Sequence, residues 1–236
     1  MTNSQNIKKL VGMATLTALV VGLQFLSNYV SFGSVSITLA LIPIAMGAIL
    51  YGPLAGLFLG LVMGGIVLAA PSTMLFLSYN PWLTILLCLV KTGVAGLVSG
   101  LLFKLFANIA KKQENVNKKK ALFAAGIIVA ALVIPVINTG IFMLGALAFF
   151  TGVSVEVEVE GVKTLVYPFK DMGAIAAAVL TINFLIEFLV SAILSPAVVT
   201  LVNILTRQYN LGFQKEFKNF IFDEEDLDLE QVSVNA

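Results

Sequence analysis

The chain has 236 residues, 59% of them hydrophobic and 11% charged, with a mean hydropathy of +1.00 and a net charge of +1. Soluble domains carry about 25% charged residues, so a chain this apolar is solvated by lipid, and its near-neutral charge gives no basis for binding nucleic acid. One cysteine (Cys88) and no histidine exclude a disulfide framework, a thiolate metal cluster and the commonest general base.

About twenty residues cross the hydrocarbon core as a helix. The polar start, residues 1–9, is followed by a long apolar run without a small-residue cleavage signal, which reads as a first span and not as a signal peptide. Span 1 is expected at residues 10–29. It carries Ala14-Thr-Leu-Thr-Ala18, a small flat patch next to Gly12. Span 2, residues 37–50, is short, and the Tyr51-Gly52-Pro53 turn after it is tight. Span 3, residues 53–70, follows Gly52 and repeats glycine at Gly56, Gly60 and Gly64, so one face lacks side chains and a neighbouring helix can approach closely. If spans 2 and 3 instead form one re-entrant hairpin, the sidedness of everything downstream is unchanged. Span 4, residues 82–106, has a similar face at Gly93, Gly96 and Gly100, and contains Lys91. Span 5, residues 121–150, contains Pro135 and Asn138. Span 6, residues 172–205, contains Asn183 and Glu187.

The basic residues orient these spans. Lys8 and Lys9 precede span 1. Six lysines (Lys104, Lys111, Lys112, Lys118, Lys119 and Lys120) lie at the junction of spans 4 and 5. Arg207, Lys215 and Lys218 follow span 6. Cytoplasmic loops collect Lys and Arg, and six crossings place all eleven of these on the cytoplasmic side. Only Lys163 and Lys170 fall outside, and Lys91 falls within a span. The expected fold is therefore an all-α six-span bundle over residues 1–206 with both termini cytoplasmic. Residues 207–236 form a partly disordered acidic tail. Residues 30–36, 71–81 and 151–171 face outside. In the last of these, residues 154–160 alternate apolar and acidic and, with 162–166, predict a small external β-hairpin turning at Glu160-Gly161. It is either a plain surface hairpin or a lid over an outward-facing site.

Lys91 and Glu187 are the sharpest candidates. At 1.5 Å per residue, Lys91 lies about 14 Å and Glu187 about 22 Å below the outer ends of their spans. An unpaired charge at that depth costs several kcal/mol. Either the two form a structural ion pair, or they line a polar pocket in which Lys91 meets an anionic ligand. Asn138, beside a carbonyl freed by Pro135, adds an amide. So does Asn183, one turn from Glu187. Asn80, Trp82 and Thr84 cluster at the mouth of span 4. Trp82 reads as a pocket rim or as an interfacial belt residue. No phosphate-binding loop, metal-ligand spacing or nucleophile–base couple is present, so no catalytic residue, metal or cofactor is assigned. No internal repeat of the kind many secondary transporters carry is evident.

Over about residues 7–206 the chain resembles the substrate-binding S-component of an energy-coupling factor (ECF) vitamin transporter. The resemblance rests on the six-span layout, the Ala14/Ala18 patch and the run Ser36-Ile-Thr-Leu-Ala-Leu-Ile-Pro43. It rests also on the turn Tyr51-Gly-Pro-Leu-Ala-Gly56 and on Asn80-Pro81 leading into span 4. It implies a non-enzymatic subunit of a bacterial plasma membrane. Ala14 and Ala18 would dock on a membrane coupling subunit, two cytoplasmic ATPases would supply energy, and a vitamin would bind near the outer face between spans 4–6. One lysine and several asparagines suit pantothenate, while flatter vitamins call for more aromatic surface than Tyr79, Trp82 and Phe142 offer. The alternatives are a stand-alone transporter or channel subunit for a small anionic metabolite, and a non-binding structural subunit of a membrane complex.

Overall fold

The computed structural model describes residues 3–29, 31–32, 35–36, 38–152, 154–159, 162–166 and 173–209. Among these, seven helices and two short hairpins follow one another: α1 (Asn3–Tyr29), β1 (Ser31–Phe32), β2 (Val35–Ser36), α2 (Leu41–Tyr51), α3 (Pro53–Val67), α4 (Pro71–Tyr79), α5 (Pro81–Lys111), α6 (Val116–Phe149), β3 (Val155–Val159), β4 (Val162–Val166) and α7 (Gly173–Tyr209).

Four of the helices, α1, α5, α6 and α7, contain stretches long and apolar enough to cross a membrane. Their hydroxyls are tolerated because most turn back onto the preceding turn. Thr15 donates to the Val11 carbonyl at 2.9 Å, Thr17 to Met13 at 2.8 Å, and Thr92 to Cys88 at 2.8 Å. Asn80 caps α5 by accepting from the Leu83 N–H, and Asn115 caps α6 by accepting from the N–H groups of Asn117 and Lys118.

The expected second span differs. The eleven residues of α2 rise only about 16 Å, roughly half of the 30 Å hydrocarbon core. Nine of them are buried within the protein. Helix α2 is thus a core helix whose ends need no lipid-facing backbone, not a crossing by itself. Gly52 separates it from α3 with φ 101°, a left-handed conformation that glycine adopts without penalty. The two helices then fold back on each other, with Gly47 against Leu59 and Gly56 against Ala48. The third expected span is also shortened. Pro71 holds Ala70 extended (ψ 138°), so α3 stops at Val67 and the chain bends 77° into α4. Residues 71–79, expected only as an outer segment, are that helix.

The glycine faces of α3 and α5 pack directly on each other, antiparallel. A Cβ at Gly56 would run into the Gly96 carbonyl, one at Gly60 into the Thr92 carbonyl, and one at Gly64 into the Cys88 carbonyl. Helix α5 is the hub, touching α2, α3, α4 and α6. Ser99 ties it to α6 through the Ala130 carbonyl at 2.7 Å. Phe103 packs edge-on to Phe123 at 5.5 Å. The buried apolar cluster runs from Leu16 and Val20 of α1 through Ile44, Ile49 and Leu59 to Phe103, Ile127, Ile134, Val198 and Val202.

Strands β3 and β4 pair antiparallel, with Val155 opposite Val166 and Glu158 opposite Lys163. Their turn at 160–161 lies outside the described residues. So do Lys170 and residues 210–236, the bulk of the expected tail. Helix α7 continues to Tyr209, beyond the expected end of the membrane domain.

Candidate functional site

Three consecutive helices, α6 running antiparallel to α5 and α7, carry Lys91, Asn138 and Glu187 in their middle stretches. On α5, Lys91 lies ten residues from Pro81, about 15 Å along the helix. On α6, Asn138 lies eleven residues from Phe149, about 16 Å from that end. Contacts between Leu87 and Gly145 on one side, and Ser99 and Ala130 on the other, bracket Lys91 and Asn138 at matching heights. Glu187 sits on α7 fourteen residues from its start, about 21 Å along. It is within electrostatic range of Lys91.

The Lys91 ammonium lies 4.6 Å from the centroid of the Phe142 ring. Phe142 is one turn from Asn138 on the same helix face. A cation on an aromatic face gains about 0.5–2 kcal/mol, more as water is excluded, which offsets part of the cost of holding the charge in the bundle. Phe142 also meets Phe76 of α4 edge-on at 5.7 Å. Phe76 meets Phe150 at 5.2 Å, and Tyr79 leans on Phe150 at 6.1 Å. This cluster makes the aromatic content larger than the sequence suggests, because α4 contributes rings from a segment expected only as an outer loop.

Glu187 is 4% exposed and accepts a hydrogen bond from the Thr38 hydroxyl at 2.5 Å. One turn further, Ser191 borders a narrow cleft with Leu41, Ile42, Ala45, Ala131 and Val198, where α2, α6 and α7 meet. Asn138 is 7% exposed, and its Oδ1 accepts no hydrogen bond among the described residues. The side chain of Asn183 lies outside the described residues. Its backbone places it on α7 one turn before Glu187.

The mouth of α5 is arranged differently from the expectation of a pocket rim. The Asn80 side chain is taken up by capping. The Thr84 hydroxyl is buried and donates to the Asn80 carbonyl at 2.8 Å. Trp82 is 81% exposed, which matches the interfacial arrangement for an amphipathic ring at a helix start.

Sequence reasoning missed Thr38, Ser27 and Gln24. Ser27 accepts from the Leu39 N–H at 3.3 Å, and Gln24 is 4% exposed. A glutamine interrupting an apolar span was a readable signal. Thr38 gave none, since its role depends on α7. On the opposite face of α1, Ala14 and Ala18 are both exposed, and Gly22 extends the stripe with open space above it.

A family model described as "ECF transporter, substrate-specific component" matches residues 8–199. No curated protein matches the chain. Among solved structures, ThiT from Listeria monocytogenes superposes with a TM-score of 0.53 at 18% identity, covering 83% of this chain and 95% of that one. At that identity the likeness concerns the fold alone.

Proposed function

The chain belongs to the family of substrate-specific components of ECF transporters, and we propose that it captures pantothenate at the outer face of a bacterial plasma membrane for an ATP-driven importer. Members of this family are transport subunits, not enzymes, and work with a membrane coupling subunit and ATPases. The observation that carries the ligand reading is the Lys91 ammonium on the face of Phe142, level with the unpartnered carbonyl of Asn138. A small carboxylate with hydroxyl and amide groups answers both: the anion meets Lys91 and a donor meets Asn138. Glu187 on α7 adds a buried carboxylate to this polar wall. The aromatic cluster does not argue for a flat ligand. Phe76 packs edge-on to Phe142 and to Phe150, and the near face of Phe142 is occupied by Lys91.

In this reading the lysine-rich turn between α5 and α6 faces the cytoplasm, and the β3–β4 hairpin faces outside. Ala14 and Ala18 face the coupling subunit, since small side chains let another helix approach without lipid between. Replacing both with Trp should abolish co-purification of the coupling subunit and two ATPases while leaving ligand binding by the isolated chain unchanged. Assembly that survives the double replacement removes the docking role. Mass spectrometry of small molecules released from the purified, denatured chain tests the ligand: pantothenate is expected, and a different molecule overturns that choice.

A further inference from the structure

Gln24 of α1 is buried, and its Oε1 accepts no hydrogen bond among the described residues. Its Nε2 donates to Asn28 Oδ1 at 3.0 Å, which fixes the plane of the amide. Ser27, the next polar residue on this face, is by contrast satisfied: it donates to the Leu23 carbonyl and accepts from the Leu39 N–H. An amide oxygen cannot use the device that serves the hydroxyls of α1, because backbone carbonyls are acceptors and the N–H groups of a helix interior are already bonded. A buried acceptor without a donor is destabilising, and most such groups in folded proteins are paired. A glutamine held this way needs a donor from elsewhere.

Two hydrogen bonds link the face of α1 that carries Gln24 to the candidate site. Ser27 lies one turn from Gln24 on the same buried face of α1 and is tied to Leu39. Thr38, the neighbour of Leu39, donates to Glu187. The buried face of α1 is thus joined to the α7 wall through two hydrogen bonds. We propose that Gln24 is a ligand-contacting specificity residue, and that the binding chamber reaches α1 as well as α5–α7. This rests on the reading of the site as one for a small anion. Lys91 takes the carboxylate. The carbonyls of Gln24 and Asn138 take hydrogen-bond donors, so the ligand class is a carboxylate carrying at least two hydroxyl or amide N–H groups. Simple aliphatic acids, which lack donors, would leave both oxygens unanswered and be rejected.

The test is Gln24→Met in the full chain, which keeps bulk and removes the oxygen. Its ligand-free melting temperature should rise. Pantothenate should bind about three- to tenfold more weakly by calorimetry, the worth of one ordinary hydrogen bond. Wild type should discriminate about tenfold between pantothenate and an analogue with its hydroxyls replaced by hydrogen, and Gln24→Met should discriminate less. A variant that melts lower, or fails to fold, shows a structural amide and overturns the proposal. So does unchanged affinity or unchanged discrimination. If wild type does not bind pantothenate, the ligand assignment fails by itself, and the melting temperature alone decides Gln24: a rise supports it and no rise overturns it.

Discussion

Near the turn that joins α5 to α6, the bundle is filled by Phe103, Phe123, Ile127, Val198 and Val202, and its hydroxyls are answered from within: Ser195 donates to the Ala192 carbonyl and Thr200 to that of Pro196. Toward the opposite end, Lys91 rests on a ring, Glu187 accepts a hydrogen bond from Thr38, and among the described residues two buried amide oxygens accept nothing. One end is organised for packing. The other holds groups that lower stability, each unpaired buried acceptor by about 1–3 kcal/mol. In the proposed function that asymmetry serves binding: the closely packed end would keep the polar end in place, and a ligand would answer its open acceptors.

The strongest way to break the comparison is Lys91→Met, which keeps apolar bulk and removes the charge. Losing one member of a buried charge pair costs about 2–5 kcal/mol, roughly thirtyfold to several thousandfold in affinity. Calorimetry with pantothenate should show that loss in a protein that still folds and assembles. Glu187→Gln should be milder on binding if the ligand carboxylate is the chief partner of Lys91, and more damaging to thermal stability if Lys91 and Glu187 form a structural pair. Normal affinity in Lys91→Met would falsify the anion-binding role.

At the packed end, Phe103→Ala should act oppositely, on stability and not on affinity. Lipid removes the water-transfer part of the penalty, leaving the cavity part. For a loss of about 100 Å³ this is about 2 kcal/mol, read as a lowered melting temperature. A large change in affinity would show that the two ends are not separable. Asn138→Leu sharpens the contrast from the other side, and should raise stability by about 1–2 kcal/mol while weakening binding. A drop in melting temperature would mean that the Asn138 carbonyl is satisfied after all. The smallest effect is expected at the mouth of α5. Asn80→Ala removes the cap and should cost about 1 kcal/mol of stability with no change in ligand preference; a shift in preference would return Asn80 to the pocket.

Composition, periodicity and the placement of lysines determined by themselves that this is a helical membrane protein, and located α1, α5, α6 and α7 within a few residues, because hydropathy over twenty residues is a local property. Glycine spacing likewise announced the α3 and α5 faces, and a charge within a span announced Lys91 and Glu187, since both signals are periodic or costly wherever they occur. Only the tertiary structure decided that α2 is a buried half-length helix, that residues 71–79 bend away as α4, and that the glycine faces meet each other. Those outcomes depend on which surfaces become neighbours. The same holds for the site. Nothing local to Thr38 points to Glu187, 149 positions away. Nothing local to Phe142 marks it as the ring beneath Lys91. Whether Gln24 and Asn138 find donors is a property of the surrounding helices and not of the span that carries each residue.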